Sequence, residues 1–143
     1  MLSKKEKELL AEIWGRLTPV AEDIGSEALL RMFISYPGTK TYFSHLDISP
    51  RSPHLLSHGK RIVLAIAEGA KDISQLTVTL APLQTLHAYQ LRIDPTNFKF
   101  QFQYSALVTR NQDRHQTSEQ AKISFYFTSS VLMCNLSSVK IIY

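Results

Sequence analysis

Two histidines on apolar helical faces constrain this chain more than any other feature. In Leu55-Leu56-Ser57-His58-Gly59-Lys60-Arg61-Ile62-Val63-Leu64, His58 and Ile62 stand one turn apart and share a face. In Leu80-Ala81-Pro82-Leu83-Gln84-Thr85-Leu86-His87-Ala88-Tyr89, Leu83 and His87 do the same. An imidazole among aliphatic side chains is poorly solvated and needs a partner. Two of them could face each other across a flat apolar ligand that carries a metal, which is the haem arrangement. A satisfied core histidine is the commoner meaning of such a residue. Spacing alone leaves both readings open.

The rest of the composition narrows the setting. A chain of 143 residues with 44% hydrophobic and 20% charged residues suits one domain with a real core. The net charge of +4 comes from scattered Lys and Arg rather than a basic stripe, which argues against a nucleic-acid partner. Cys134 is the single cysteine, so no internal disulfide forms and a reducing cytosol is the default compartment. No apolar run approaches the ~20 residues of a membrane-spanning helix. The N-terminus (Lys4, Lys5, Glu6, Lys7, Glu8) carries charge where a signal peptide would be apolar. The expectation is a cytoplasmic protein with no membrane association.

The first part of the chain is written in helical period. Ser3-Lys4-Lys5-Glu6 fits a capping box, and Leu10, Ile13, Trp14 and Leu17 recur on one face until Pro19. For Trp14, plain core packing is the preferred role. A second helix is predicted from about Val20 to Ser35, with Ile24, Ala28, Met32 and Phe33 inward. Gly25 inside it costs about 1 kcal/mol relative to Ala, which makes sense where another helix crosses closely. Pro37-Gly38 breaks the pattern, a short turn through Thr41-Tyr42-Phe43 comes next, and residues 44–52 read as a loop. Pro53 opens the helix of His58, which runs to about Lys71 with Leu55, Ile62, Ala65, Ile66 and Gly69 as its buried stripe. Asp72-Ile73-Ser74 reads as a turn, Leu76 and Leu80 lead into the helix of His87, and Pro82 marks the region of its start.

After Lys99 the pattern changes. Phe100, Phe102 and Tyr104 alternate, as do Ile123, Phe125 and Phe127, a period of two rather than 3.6. Residues 109–122 are mostly polar, and Thr128-Ser129-Ser130 is turn-like.

From Met1 to Lys99 the chain resembles vertebrate haemoglobin alpha-type globins. The runs that carry the likeness are Gly25 to Phe33, Tyr36-Pro37, Thr39 to Phe43, Ser57-His58-Gly59-Lys60, Leu86-His87-Ala88-Tyr89 and Leu91 to Lys99. The resemblance implies an all-α globin fold in an incomplete domain, residues 1–99. The family's last two helices would be replaced by an unrelated tail, residues 100–143, that is disordered or β-prone. It implies haem b as cofactor, with His87 as the proximal iron ligand and His58 as the distal residue that hydrogen-bonds dioxygen. Phe43 resembles the ring that stacks on the porphyrin, and His45 and Arg61 resemble residues near the propionates. Ile62 resembles the steric wall, commonly Val in the family. Leu83, Leu86, Leu91, Ile93, Asn97 and Phe98 resemble the haem floor. Thr41, Tyr42, Arg92, Asp94, Pro95 and Asn97 resemble the sliding contact with a beta-type chain. Ser44 stands where family members usually carry Pro, and the family's final Tyr-Arg pair has no counterpart beside Tyr143.

The leading expectation is therefore an oxygen carrier of the haemoglobin alpha type in the red-cell cytoplasm, and not an enzyme. Its partners would be dioxygen and beta-type globin chains. A tail of foreign pattern supports an alternative: an aberrant isoform, from translated intron or an alternative exon, that folds, binds haem and assembles poorly. Losing two core helices is large against a stability of ~5–15 kcal/mol. A second alternative, weak haem-dependent peroxidase chemistry, lacks a distal arginine or acid–base pair in the sequence.

Overall fold

The structure, a computed structural model, describes residues 2–94. Every element among these residues is helical, in keeping with the all-α expectation. The tail with its alternating pattern, and the boundary placed at Lys99, lie outside the described residues.

Helix α1 (Lys4–Leu17) begins with the capping box its sequence announces. Glu6 N–H donates to Ser3 Oγ at 3.3 Å, and Ser3 N–H donates to Glu6 Oε2 at 2.7 Å. Two otherwise unsatisfied amides are thereby occupied. The Ser3 N–H, and after it the Ser3 side chain, hold the Glu6 carboxyl below its ordinary range. Pro19 sits at the start of a 3-10 turn, Thr18–Val20, where its missing N–H is not needed. That turn occupies the predicted first residue of the next helix, so α2 runs Ala21–Ser35. Pro37 ends it by pushing Tyr36 out of the helical region, to φ −133° and ψ 73°. The next segment is longer than the short turn predicted. It is a 3-10 stretch, Pro37–Phe43, in which the Thr39 and Thr41 hydroxyls donate to the Tyr36 and Gly38 carbonyls.

Helix α3 (Pro53–Lys71) is capped by Ser52, whose hydroxyl accepts from Leu55 N–H at 3.1 Å. Asp72 then caps a 3-10 turn, Ile73–Gln75, and helix α4 spans Leu76–Thr85. Pro82 therefore lies inside α4 rather than near its start. A proline reads the same in sequence at either place, and in this chain the helix continues through it. The backbone then widens into a π-helical turn, Leu86–Gln90, closed by Leu91 N–H donating to the Leu86 carbonyl at 3.0 Å.

Leu10, Ile13, Trp14 and Leu17 of α1, Ile24 and Ala28 of α2, Val63 and Ile66 of α3, and Leu76 and Leu80 of α4 form one buried cluster. A second holds Leu29, Met32, Phe33 and Leu55. Burial of each large aliphatic side chain is worth about 1.5–3 kcal/mol. The stripe of α3 keeps the predicted Leu55, Ile66 and Gly69 but is rotated toward Gly59, Val63 and Ala70, which leaves Ile62 and Ala65 half-buried. Ile62 packs against both clusters from the side.

The reason for the rotation is the crossing of α2 and α3. A Cβ added to Gly25 would overlap the backbone of Gly59, and one added to Gly59 would overlap Gly25 and Ser26. Main chain meets main chain, which only paired glycines permit. Lys60–Glu22 at 3.2 Å and Arg51–Asp23 at 4.0 Å flank the crossing, but both are exposed and contribute little. Among the described residues no helix is long and apolar enough to cross a membrane.

Candidate functional site

Helix α3 delivers His58 half-buried on the side where the 3-10 segment ends in Phe43. The two rings meet edge to face, with centroids 5.3 Å apart and planes at 71°. Phe33 backs Phe43 in the same manner at 5.1 Å. An aromatic stack thus runs from the second core cluster to the imidazole. Burial lowers the His58 pKa from 6.5 to about 4, and the charges of Arg61, His87 and His45 oppose its protonation further. His58 is therefore neutral at pH 7.

The hydrogen bonds assign the two rings opposite tautomers. His87 Nδ1 lies 2.6 Å from the Leu83 carbonyl, one turn earlier. A carbonyl only accepts, so Nδ1 carries the proton and Nε2 carries the lone pair. His58 Nδ1 lies 3.5 Å from Arg61 Nη2. A guanidinium only donates, so Nδ1 holds the lone pair and Nε2 carries the proton. One ring is thus prepared as a Lewis base and the other as a hydrogen-bond donor.

Apolar side chains complete the setting. Phe43, Ile62, Leu83, Leu86 and Ile93 are all half-buried, neither consumed by the core nor open to water. Ile93 N–H donates to the His87 carbonyl at 3.1 Å and ties the residues after the π turn back to the histidine. His45 is exposed, as is Leu91 at 47%, and Arg61 is exposed with its guanidinium turned to His58. Sequence reasoning sets Arg61 at the rim of the site; the structure turns its guanidinium to His58, on the Nδ1 edge and away from Nε2. Of the interface residues, Thr41, Arg92 and Asp94 are exposed and Tyr42 is half-buried. Arg92 adopts φ 50°, a left-handed conformation costing a non-glycine residue about 1–2 kcal/mol, just after the π turn closes. Pro95, Asn97 and Phe98 lie outside the described residues.

Two participants escape sequence reasoning. The Leu83 carbonyl has a usable signal, since a histidine four residues on can reach it. Phe33 reads only as core, and its support of Phe43 depends on where the 3-10 segment returns.

The donor set decides what metal chemistry fits. Among the described residues no group of three or more His, Cys, Asp or Glu side chains could hold a metal ion. A single imidazole lone pair suits a metal whose remaining ligands come with a prosthetic group. The half-buried apolar side chains suit a flat apolar one.

Comparison with known proteins agrees. The globin family model matches residues 26–122. Haemoglobin subunit alpha-D of Sturnus vulgaris is 47% identical over 100 residues, covering 70% of this chain and 71% of that protein. Haemoglobin subunit alpha-4 of Xenopus laevis is 51% identical over 98 residues, covering 68% and 69%. Haemoglobin subunit zeta of Equus caballus is 46% identical over 99 residues, covering 69% and 70%.

Proposed function

The chain belongs to the globin family, and on that premise we propose that it is a haemoglobin alpha-type subunit that binds dioxygen reversibly at ferrous haem. Haem b is the cofactor that family membership implies. When bound, haem supplies an iron with one position for an exogenous diatomic ligand. The residues supply everything else. His87 would hold the iron through Nε2, with Nδ1–H anchored on the Leu83 carbonyl so that the ring neither rotates nor changes tautomer. His58 would offer Nε2–H as a hydrogen-bond donor to a ligand that carries partial negative charge. Phe43, Ile62, Leu83, Leu86, Leu91 and Ile93 would keep water from the site, and the family resemblance assigns Asn97 and Phe98 to the same role. His45 and Arg61 stand at its rim for the carboxylate edge of the cofactor. By family resemblance, Thr41, Tyr42, Arg92, Asp94, Pro95 and Asn97 would form the contact with a beta-type chain in a red-cell tetramer. The opposite tautomers of His58 and His87 carry this reading, because a pair of ordinary core histidines has no need of them.

The test is the full chain expressed with haem. A Soret band that shifts reversibly as oxygen is removed and returned supports the carrier, and a size-exclusion trace with and without beta-type chain reads assembly. His87→Ala should abolish stable haem retention, whereas His58→Ala should retain haem but speed oxygen release and autoxidation. Equal behaviour of the two variants would contradict the separate roles of ligand and donor. Turnover of hydrogen peroxide far above that of free haem would replace the carrier with an enzyme.

A second reading has its own support. The alignments with curated relatives cover 98–100 residues, in accord with a family domain over 1–99 and an unrelated segment over 100–143, although the family model reaches residue 122. On this reading the chain is an aberrant isoform, of intron or alternative-exon origin, with impaired haem binding. Apo, aggregating protein from the same expression would favour it, and an ordinary coding exon supplying residues 100–143 in the mature message would remove its basis.

A further inference from the structure

We propose that Arg61 is the positioning residue of His58: by donating to Nδ1 it selects both the ring flip and the tautomer that present Nε2–H on the far edge of the imidazole. The proposal deepens the reading above and rests on it for its functional consequence, though not for the contact itself.

Two contacts define the orientation of the His58 ring, and they do different work. The edge-to-face contact with Phe43, at 5.3 Å and 71°, fixes the plane of the imidazole. It cannot fix the flip. Rotation by 180° about the Cβ–Cγ bond leaves the ring in the same plane while exchanging Nδ1 with Cδ2 and Nε2 with Cε1. Apolar neighbours such as Ile62 barely distinguish the two. Arg61 Nη2, at 3.5 Å from Nδ1, does distinguish them. In the flipped ring it would face a carbon and lose its acceptor. The same donor excludes the Nδ1–H tautomer, because two donors would then oppose each other. Arg61 lies three residues after His58, so both side chains leave α3 on adjoining turns and the contact costs no backbone rearrangement. The guanidinium is exposed, which limits the bond to a modest one. Modest bias is sufficient where the competing states differ only by a flip and a proton. A carboxylate at the rim of the site would draw Arg61 away from His58, so a bound cofactor and the histidine compete for one guanidinium.

The experiment is nitrogen-15 NMR of the imidazoles in the full-length chain without haem, at pH 7, comparing wild type with Arg61→Leu and Arg61→Lys. In wild type, His58 should show Nδ1 unprotonated and Nε2 protonated. Arg61→Leu keeps the aliphatic stem and removes the donor, and should shift the His58 tautomer ratio by about fivefold, the equivalent of one ordinary hydrogen bond. Arg61→Lys should restore most of it. His87 resonances should be the same in all three proteins, and far-UV circular dichroism should show unchanged helix content. A His58 ring with Nδ1 protonated in wild type, or identical His58 shifts in wild type and Arg61→Leu, overturns the proposal. Neither outcome depends on haem, so failure of the carrier reading shows separately as a missing Soret band in the wild-type chain.

Discussion

The two histidines ride on parts of the molecule that are held in different ways. His58 belongs to α3, which crosses α2 with main chain against main chain at Gly25 and Gly59. Around that crossing Ile24 and Ala28 are 0% exposed and Val63 is 1%. His87 belongs to the π turn that succeeds α4. There Leu76 and Leu80 are buried, but Val78 is 70% exposed and Tyr89 58%. Position at the first histidine is set by backbone contact, which has almost no slack. At the second it is set by a hydrogen bond to the Leu83 carbonyl and by a few side chains. On the proposed roles, a donor that must meet a small ligand gains from the rigid mount, while a metal ligand gains from a mount that can follow its metal.

The contrast breaks most visibly at the crossing. Gly59→Val places two methyl groups and a Cβ where the backbone of Gly25 and Ser26 already stands. Removing a helical glycine gains at most about 1 kcal/mol in propensity. Forcing two helices apart costs about 3 kcal/mol, and the overlap involves main chain that cannot rotate away. Urea unfolding should show the loss as a lowered midpoint. A midpoint at or above that of wild type would mean the crossing is not the fixed point of the fold.

A smaller effect belongs to His58 itself. Its pKa falls from 6.5 to about 4 on folding, first because burial disfavours the cation and then because Arg61, His87 and His45 repel it. The folded chain therefore binds fewer protons than the unfolded chain between those values. Stability is fully present above pH 6.5 and is lost as pH falls toward 4. The half-exposed setting and solvent screening bring the loss to about 2 kcal/mol. Denaturation midpoints of the haem-free chain at pH 7 and pH 4.5 should differ accordingly, and His58→Gln should remove the His58 share of that difference. If the variant keeps the whole slope, the pH dependence originates elsewhere.

How much of the fold and site is legible in the sequence depends on the range of the interactions. The capping box at Ser3 and Glu6 and the buried faces of α1 and α2 are local patterns, and the chain displays them as expected. Gly25 implies a close crossing because nothing else explains a glycine in an inward helical position. The α3 stripe differs from its expected position by a fraction of a turn: Gly59 has no hydrophobicity to register, yet it is what lies against α2. Pro82 suggests a helix start because the sequence does not show how many turns precede it. The π turn at His87 has no side-chain signature, since it is one backbone bond reaching a residue further. Arg61 is a long side chain with several possible partners, and only the fold brings His58 Nδ1 within reach. The motifs propose a ligand and a donor role for the two histidines, but they do not show the hydrogen bonds that set the tautomers.

The finest probe of the contrast is Pro82. Its nitrogen has no hydrogen to offer the Val78 carbonyl, so α4 lacks one rung about one and a half turns before His87. Val78 is largely exposed, and water can occupy its carbonyl, which explains how the helix tolerates the gap. Pro82→Ala restores the donor and removes a residue that costs about 3 kcal/mol in an unadapted helix interior. Part of that cost is already relieved by hydration, and the unfolded chain gains freedom when the ring is lost. The expected net is a stabilisation of about 1 kcal/mol, read by urea unfolding, with slower amide exchange confined to residues 79–86. Exchange across the Gly25–Gly59 crossing should not change. Slower exchange without added stability would mean that the looser mount of His87 reflects sparse side-chain packing rather than the broken backbone ladder, and the contrast between the two mounts would then be one of burial alone.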